Sequence, residues 1–194
     1  MREQGRHYER AFEAYLRARR VPYVAVDEAR RSLVPPAGWT GNDPLENGLG
    51  DLKSFDYLVY PAAGPNLLVD IKGRRAGRGG APSGLQSWVT EDDVRSLLAW
   101  ERLFGGDGAD AEERGRAFRA AFVFMYWCDD QPADASVGEV MRHHGRWYAM
   151  RTVSVADYAA AMRPRSPRWR TVGLPAREFD RLSAPSAAPA LLRA

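Results

Sequence analysis

The sequence has little that would mark a secreted, disulfide-bonded or membrane-embedded protein. It contains a single cysteine, Cys128, which excludes an intramolecular disulfide framework and a zinc site built on a cysteine cluster. No apolar run approaches the roughly 20 residues that a membrane-spanning helix needs. The opening residues, MREQGRHYER, are charged and lack the apolar stretch of a secretory signal. We therefore expect a soluble cytoplasmic protein without a membrane partner.

Lysine is also scarce. Of 28 basic residues only Lys53 and Lys72 are lysines, and the other 26 are arginines. The net charge of +3 is compatible with a polyanionic partner but does not establish one. Because arginine is the usual cation of this chain, we ask whether each lysine has a specific role. Lys53 has no evident role, whereas Lys72 lies in a pattern described below.

Hydrophobic periodicity predicts an α/β fold around a mixed sheet, in one domain over 1–182. Its order is helix, strand, strand, strand, helix, strand in a core over about 5–127, followed by a C-terminal α+β elaboration over about 128–182. Loops are predicted over 35–50, 73–87 and 107–116, and a disordered tail over 183–194. The predicted helices cover 5–20, 90–104, 155–162 and 175–182, and the predicted strands cover 23–26, 54–60, 67–72, 120–127, 147–153 and 171–174.

The residues with chemical potential concentrate in the predicted hairpin of strands 54–60 and 67–72. Side chains alternate along a strand, so Asp70 and Lys72 share one face while the opposite face is apolar. Charge in the middle of a fold is costly unless it is paired, hydrated or bound to a metal. Antiparallel pairing would bring Asp56 close to Asp70. Two such carboxylates repel each other, and a bound divalent cation commonly neutralises this repulsion.

The first predicted helix supplies a third carboxylate. Glu9 lies about 90° from the centre of the apolar stripe, at the edge of the buried face, where it could reach a site beside the sheet. Glu13 lies about 130° from that centre, so we expect it to be solvated or structural rather than a ligand.

These residues resemble the PD-(D/E)XK nuclease superfamily, whose fold is restriction-endonuclease-like. Asp56 is followed, after thirteen residues, by Asp70-Ile71-Lys72, and Glu9 lies on a preceding helix. The order of elements is similar to that core, and Gly5-x-x-x-Glu9 resembles the opening of resolvase-like members. The run H-Y-E-x-x-F-E over 7–13 resembles an uncharacterised bacterial family of the superfamily. Phe55 stands where the named proline of the motif would be.

The resemblance implies metal-dependent hydrolysis of phosphodiester bonds, with DNA as the expected substrate and Mg²⁺ or Mn²⁺ as the cofactor. Asp56 and Asp70 would be metal ligands, and Glu9 a ligand directly or through water. Lys72 would orient or activate the attacking water and steady the developing charge. The chemistry of these groups agrees, because Mg²⁺ prefers oxygen ligands and lysine is a compact charge whose pKa shifts readily. A homodimer is also among the expectations, since resolvase-like relatives often dimerise.

Two basic segments are candidates for contact with nucleic acid. Arg74, Arg75 and Arg78 follow the motif and could touch phosphate, or they could belong to a solvated loop. Gln86 could orient a nucleic-acid substrate bound nearby, or it could be simply a polar loop residue. In the second segment Trp169 could stack on a base or could anchor an added element to the core. That segment also contains Arg163, Arg165, Arg168 and Arg170.

Other classes of function stay open. The chain could be a non-catalytic module that binds nucleic acid or another partner on a nuclease-like fold. Separately, Asp70 and Lys72 could be a surface ion pair on an exposed strand face. It could also be a hydrolase of a defence or toxin system, which only its genomic neighbours would distinguish.

Overall fold

The protein, seen in a computed structural model that describes residues 6–26, 52–76, 85–105, 117–132 and 138–183, has a mixed α/β fold. This confirms the predicted class. No helix within those ranges is long and apolar enough to cross a membrane. The helices are α1 (Arg6–Ala18), α2 (Glu91–Gly105), α3 (Val155–Ala161) and α4 (Ala176–Leu182), and the strands are β1 (Tyr23–Ala25), β2 (Tyr57–Val59), β3 (Asn66–Arg75), β4 (Val89–Thr90), β5 (Phe118–Cys128), β6 (Glu139–His143), β7 (Arg146–Ser154), β8 (Arg163–Ser166) and β9 (Thr171–Gly173).

The main sheet has six strands in the order β1-β2-β3-β5-β7-β6. Its neighbouring strands are antiparallel except for β3 and β5, which are parallel and are joined by a crossover through α2. A smaller antiparallel sheet has the order β4-β9-β8. The crossover brings the start of α2 next to the strand that contains Asp70 and Lys72.

Helices cover both faces of the main sheet. The apolar stripe of α1, centred on Phe12 and Leu16, packs against Val69 and Met125 on one face. The helices α2, α3 and α4 pack on the other face, which includes Phe122. As predicted from its continuous apolar run, β5 is the central strand, and its residues from 120 to 126 are fully buried.

Most predicted elements are present, and the differences have physical causes. β3 continues three residues beyond Lys72, because Gly73, Arg74 and Arg75 pair with β5 although their composition is typical of a loop. β2 is shorter than predicted, yet Asp56 still bonds to both neighbouring strands through its backbone. β4, β6 and β8 were not predicted, and β4 and β8 are short strands that pair with β9. The segment of β6 is only half-buried and lacks clear alternation, but it pairs with β7 across a tight turn.

Candidate active site

The pairing of β2 with β3 brings the two aspartates of the motif side by side. The antiparallel pairing ends with Tyr57 opposite Val69. Asp56 and Asp70 are the next residues beyond this pair, and their carboxyl groups are in hydrogen-bond contact. The backbone N–H of Asp56 donates to the carbonyl of Val69 at 2.9 Å, which fixes this position. The Asp56 carboxylate in turn accepts the N–H of Ile71 at 2.6 Å. The predicted hairpin and the predicted proximity of the two carboxylates are therefore both present.

Burial raises the pKa of both carboxyl groups. The pKa of Asp56 rises to about 7, first because the group is buried and then because Asp70 is negative. Burial likewise raises the pKa of Asp70, although the charge of Lys72 opposes the change. Without a bound cation, the pair is therefore stabilised near neutral pH by holding a proton between the two groups. A divalent cation would remove the same repulsion.

Lys72 is held between two carboxylates. Its Nζ lies 2.8 Å from Asp70 Oδ2 and 3.3 Å from Asp93 Oδ2, and only 16% of the side chain is exposed. Burial alone would lower the pKa of Lys72, but the charges of Asp70 and Asp93 outweigh it and raise the pKa. Lys72 therefore stays protonated near neutral pH. It can orient water or steady negative charge, but it is not suited to act as a general base.

Asp93 is the residue of this cluster that the sequence analysis missed. It forms a capping box with Thr90, whose Oγ1 accepts the Asp93 N–H at 3.1 Å, while Asp93 Oδ2 accepts the Thr90 N–H at 2.8 Å. This geometry turns the carboxylate back over the start of α2, toward β3. Burial would raise the pKa of Asp93, but Lys72, Lys53 and the cap lower it to about 2. The sequence T-E-D-D indicates the cap, but not that the cap faces Lys72.

Both lysines of the chain converge on Asp93. The Nζ of Lys53 lies 2.8 Å from Asp93 Oδ1 and 2.9 Å from Thr90 Oγ1. The backbone of Lys53 is fixed as well, because its N–H donates to Ser96 Oγ at 3.1 Å and its carbonyl accepts the Trp100 Nε1–H at 2.9 Å. Lys53, to which no role was assigned, thus ties the segment before β2 to α2.

Glu9 lies on the opposite side of the sheet from Lys72. It belongs to α1, which packs on the face of Val69, whereas Asp70 and Lys72 lie on the other face. Its charge still contributes the smallest of the causes that raise the pKa of Asp56. Within the described ranges, no three His, Cys, Asp or Glu side chains gather in a way that could hold a metal ion. Glu9 therefore does not complete a shell of three carboxylates.

The remaining donor set still fits Mg²⁺. This ion often takes only one or two protein carboxylates and fills its other positions with water and substrate phosphate oxygens. Asp56 and Asp70 provide two adjacent carboxylates whose repulsion favours a cation. The pair is therefore a chemically reasonable position for the metal that the superfamily resemblance implies.

Glu13 is structural rather than solvated, which corrects part of its prediction. Its carboxylate accepts hydrogen bonds from the hydroxyls of Tyr57 at 3.1 Å and Tyr23 at 3.4 Å, and it pairs with Arg17 at 2.8 Å. Only 26% of the side chain is exposed. Glu13 thus ties α1 to the first two strands, on the far side of the sheet from Lys72.

The guanidinium group of Arg74 makes its contacts within the protein. Its guanidinium stacks on Trp88 at 4.0 Å from the ring centre and donates to the carbonyls of Trp88 at 2.6 Å and Gly73 at 2.8 Å. Tyr8 donates its hydroxyl hydrogen to the Arg74 carbonyl at 2.7 Å. A β-carbon at Gly73 would collide with the ring of Tyr8, so α1 lies directly on this part of β3. These contacts favour a structural role for Arg74 over direct binding of phosphate.

The other residues predicted to contact nucleic acid differ in placement. Arg75 is exposed and pairs with Asp129 at 2.9 Å. Gln86 is exposed and accepts the Nε1–H of Trp88 at 3.0 Å. Arg78 lies outside the described residues. Arg75 and Gln86 are therefore accessible to a ligand, but neither contacts the Asp56–Asp70 pair within the structure.

Comparison with known proteins assigns no family. No protein-family model, curated protein or solved structure matches the chain. A function for this protein is therefore argued from its own residues and their geometry.

Proposed function

We propose that this protein is a metal-dependent nuclease that hydrolyses phosphodiester bonds, with DNA as the expected substrate. The proposal rests on the adjacent carboxyls of Asp56 and Asp70 together with the ammonium of Lys72, which lies 2.8 Å from Asp70. A carboxylate pair of this kind favours a divalent cation, and an ammonium beside it favours a phosphate. Placing these charges in the middle of a strand costs free energy, and a bound ligand would offset that cost.

The order of elements supports a restriction-endonuclease-like core. α1, β1, β2, β3, α2 and β5 follow one another as the resemblance implies, with only the two-residue β4 between β3 and α2. The parallel neighbours β3 and β5 match the expected mixed sheet. Asp56 precedes the second strand and Asp70-Ile71-Lys72 lies in the third, which is where a PD-(D/E)XK protein would have its motif.

The proposed chemistry assigns roles to five residues. Asp56 and Asp70 would hold Mg²⁺ or Mn²⁺, which when bound supplies a water of lowered pKa and offsets negative charge on the phosphate. Lys72, kept cationic by its raised pKa, would donate hydrogen bonds to the attacking water or to a phosphate oxygen. Asp93 is a positioning residue, because it fixes the Lys72 ammonium from the side opposite Asp70. Glu9 would act only through an intervening water.

The direct test is cleavage of DNA by purified protein with Mg²⁺ or Mn²⁺. Asp70→Asn and Lys72→Ala should each lower the cleavage rate by about 100-fold or more, because each removes charge that acts on the transition state. Asp129→Asn is a matched control, since Asp129 is an exposed aspartate that pairs with Arg75 away from the site. Unchanged cleavage in both Asp70→Asn and Lys72→Ala would contradict the proposal.

The second candidate is a non-catalytic module that binds nucleic acid or another partner. One observation favours it: among the described residues no third ligating side chain joins Asp56 and Asp70. This alternative predicts binding without metal-dependent cleavage, and it predicts that Asp70→Asn leaves binding intact.

A further inference from the structure

The turn between β8 and β9, residues 167–170, displays a tryptophan to solvent. Trp169 is 69% exposed, and only Val24 joins it as an exposed large apolar residue within the described ranges. Trp169 therefore does not anchor the added element to the core, which was one of the two interpretations of this segment. The indole ring is therefore available for stacking on a ligand.

Arg170 holds this turn against the start of α2. Its Nε lies 3.2 Å from Glu91 Oε2 and its Nη2 lies 3.6 Å from Asp92 Oδ1. Its carbonyl accepts the Glu91 N–H at 2.9 Å. Asp93 is the next residue of the same helical turn and contacts Lys72. Trp169 is thus presented from a turn fixed to the helix start that positions Lys72.

The backbone of this turn is strained and well fixed. Arg170 has a φ of 45°, in the left-handed region that residues other than glycine seldom adopt. Such conformations persist where surrounding contacts determine them, and they are concentrated at functional sites. Here the Arg170 N–H donates to the Pro167 carbonyl at 3.2 Å, and β9 pairs with strands on both sides. The turn is therefore a rigid platform for Trp169.

The surface around the turn is basic. The Arg168 guanidinium lies 5.2 Å from the centre of the Trp169 ring, and that of Arg165 lies 5.5 Å from the Trp88 ring. Within the described ranges, no carboxylate is within ion-pair distance of Arg163, Arg165 or Arg168. A groove of about 390 Å³ beside β8 is lined in part by Trp88, Arg163 and Arg165. Exposed arginines therefore lie beside the exposed ring of Trp169 and the half-buried ring of Trp88 along one stretch of surface.

We propose that this surface binds an unpaired stretch of nucleic acid, with Trp169 stacked on a base and the arginines on the backbone phosphates. Stacking on an indole needs a free base face, which a single strand offers and the interior of a duplex does not. Exposed guanidinium groups bind phosphates along the strand. The inference rests on the proposed nuclease function and deepens it, because it names single-stranded nucleic acid as the substrate class.

Binding is tested without catalysis. The full chain is titrated, in a chelator and without added metal, into a labelled single strand of about 20 nucleotides and into a duplex of the same sequence. Wild type should bind the single strand more tightly than the duplex. Trp169→Ala should weaken single-strand binding about tenfold, and Trp169→Phe should recover most of it. Arg17→Ala, at an exposed arginine of α1 on the other face of the main sheet, is the control and should bind as wild type does.

The possible results of this binding experiment distinguish failure of the proposed binding surface from failure of the proposed nuclease function. Single-strand binding that is unchanged in Trp169→Ala, equal affinity for duplex and single strand, or no binding to either would overturn the inference. Tighter binding to an RNA strand of the same sequence, with the same loss in Trp169→Ala, would support it and would identify RNA as the substrate. Trp169-dependent binding by a protein that cleaves nothing with Mg²⁺ or Mn²⁺ would uphold this surface and reject the nuclease function.

Discussion

Asp56 and Asp93 both lie near Lys72, but their pKa values are shifted in opposite directions. Asp56 is buried beside another carboxylate, and its pKa is raised to about 7. Asp93 is satisfied by a helix cap and two lysines, and its pKa is lowered to about 2. Ionised Asp56 therefore costs the folded state free energy, whereas ionised Asp93 stabilises it. The difference separates a carboxyl group whose charge is unfavourable in the folded state from one whose charge stabilises the structure around it.

Removal of Asp93 should give the largest change in stability. Asp93→Ala deletes the cap and leaves Lys72 with one carboxylate, so the free energy of unfolding near pH 7 should fall by about 2–4 kcal/mol. Because the folded pKa of Asp93 is depressed, its contribution is present above its ordinary pKa of 3.8 and is lost as the pH falls through about 2. Denaturant unfolding of wild type and variant should therefore converge in strong acid. A constant difference at all pH values would contradict the assigned pKa.

Asp56→Asn should raise the free energy of unfolding, in contrast to Asp93→Ala. The raised pKa means that protonated Asp56 stabilises the fold fully below its ordinary pKa of 3.8, and that this contribution is lost as the pH rises through about 7. The variant, which keeps an uncharged group there, should exceed wild type in stability by roughly 1–3 kcal/mol near pH 8. The two proteins should be nearly equal near pH 4. A variant less stable than wild type near pH 8 would show that the carboxylates do not repel as described.

A divalent cation should remove part of this difference. Mg²⁺ at about ten times its dissociation constant should stabilise wild type by about 1.4 kcal/mol, which for a chain of this size is a few degrees in the thermal midpoint. The rise should shrink near pH 5, where the pair holds a proton, and should be absent in Asp56→Asn. Monovalent salt at equal ionic strength is the control. An equal rise in Asp56→Asn would place the ion elsewhere.

The smallest effect is expected at Lys53. Its side chain is 47% exposed, so its ion pair with Asp93 is screened by solvent. Lys53→Ala should therefore cost less than about 1 kcal/mol in denaturant unfolding. A loss as large as that of Asp93→Ala would mean that Lys53, rather than the cap and Lys72, accounts for the stability of this helix start.

The proximity of Asp56 and Asp70 was predictable from local rules. Alternation along a strand fixes which face each side chain takes, and a hairpin fixes which residues lie opposite each other. The contact between Asp93 and Lys72 follows no such rule, because it depends on how the crossover places α2 against β3. The capping pattern predicts the direction of the Asp93 side chain relative to its own helix only. Residues that meet only through tertiary packing, as Asp93 and Lys72 do, cannot be paired from the sequence alone.

The end of a strand is also hard to predict from sequence when tertiary pairing determines it. Gly73, Arg74 and Arg75 have a composition typical of loops, but ten consecutive pairings between β3 and β5 extend the strand through them. Trp169 shows that exposure is also hard to predict. An aromatic residue between arginines is compatible with a buried anchor and with an exposed platform. Only the tertiary structure, in which 69% of Trp169 is exposed, distinguishes the two.

The contact of Gly73 with the ring of Tyr8 has a consequence for how this chain tolerates change. Position 73 carries no charge and no side chain, yet any larger residue there would push α1 away from the strand that presents Lys72. Helix and strand can approach this closely only because one hydrogen atom stands where a methyl group would otherwise be. A descendant of this protein could thus keep every acid and base of the cluster and still lose their alignment through one methyl group.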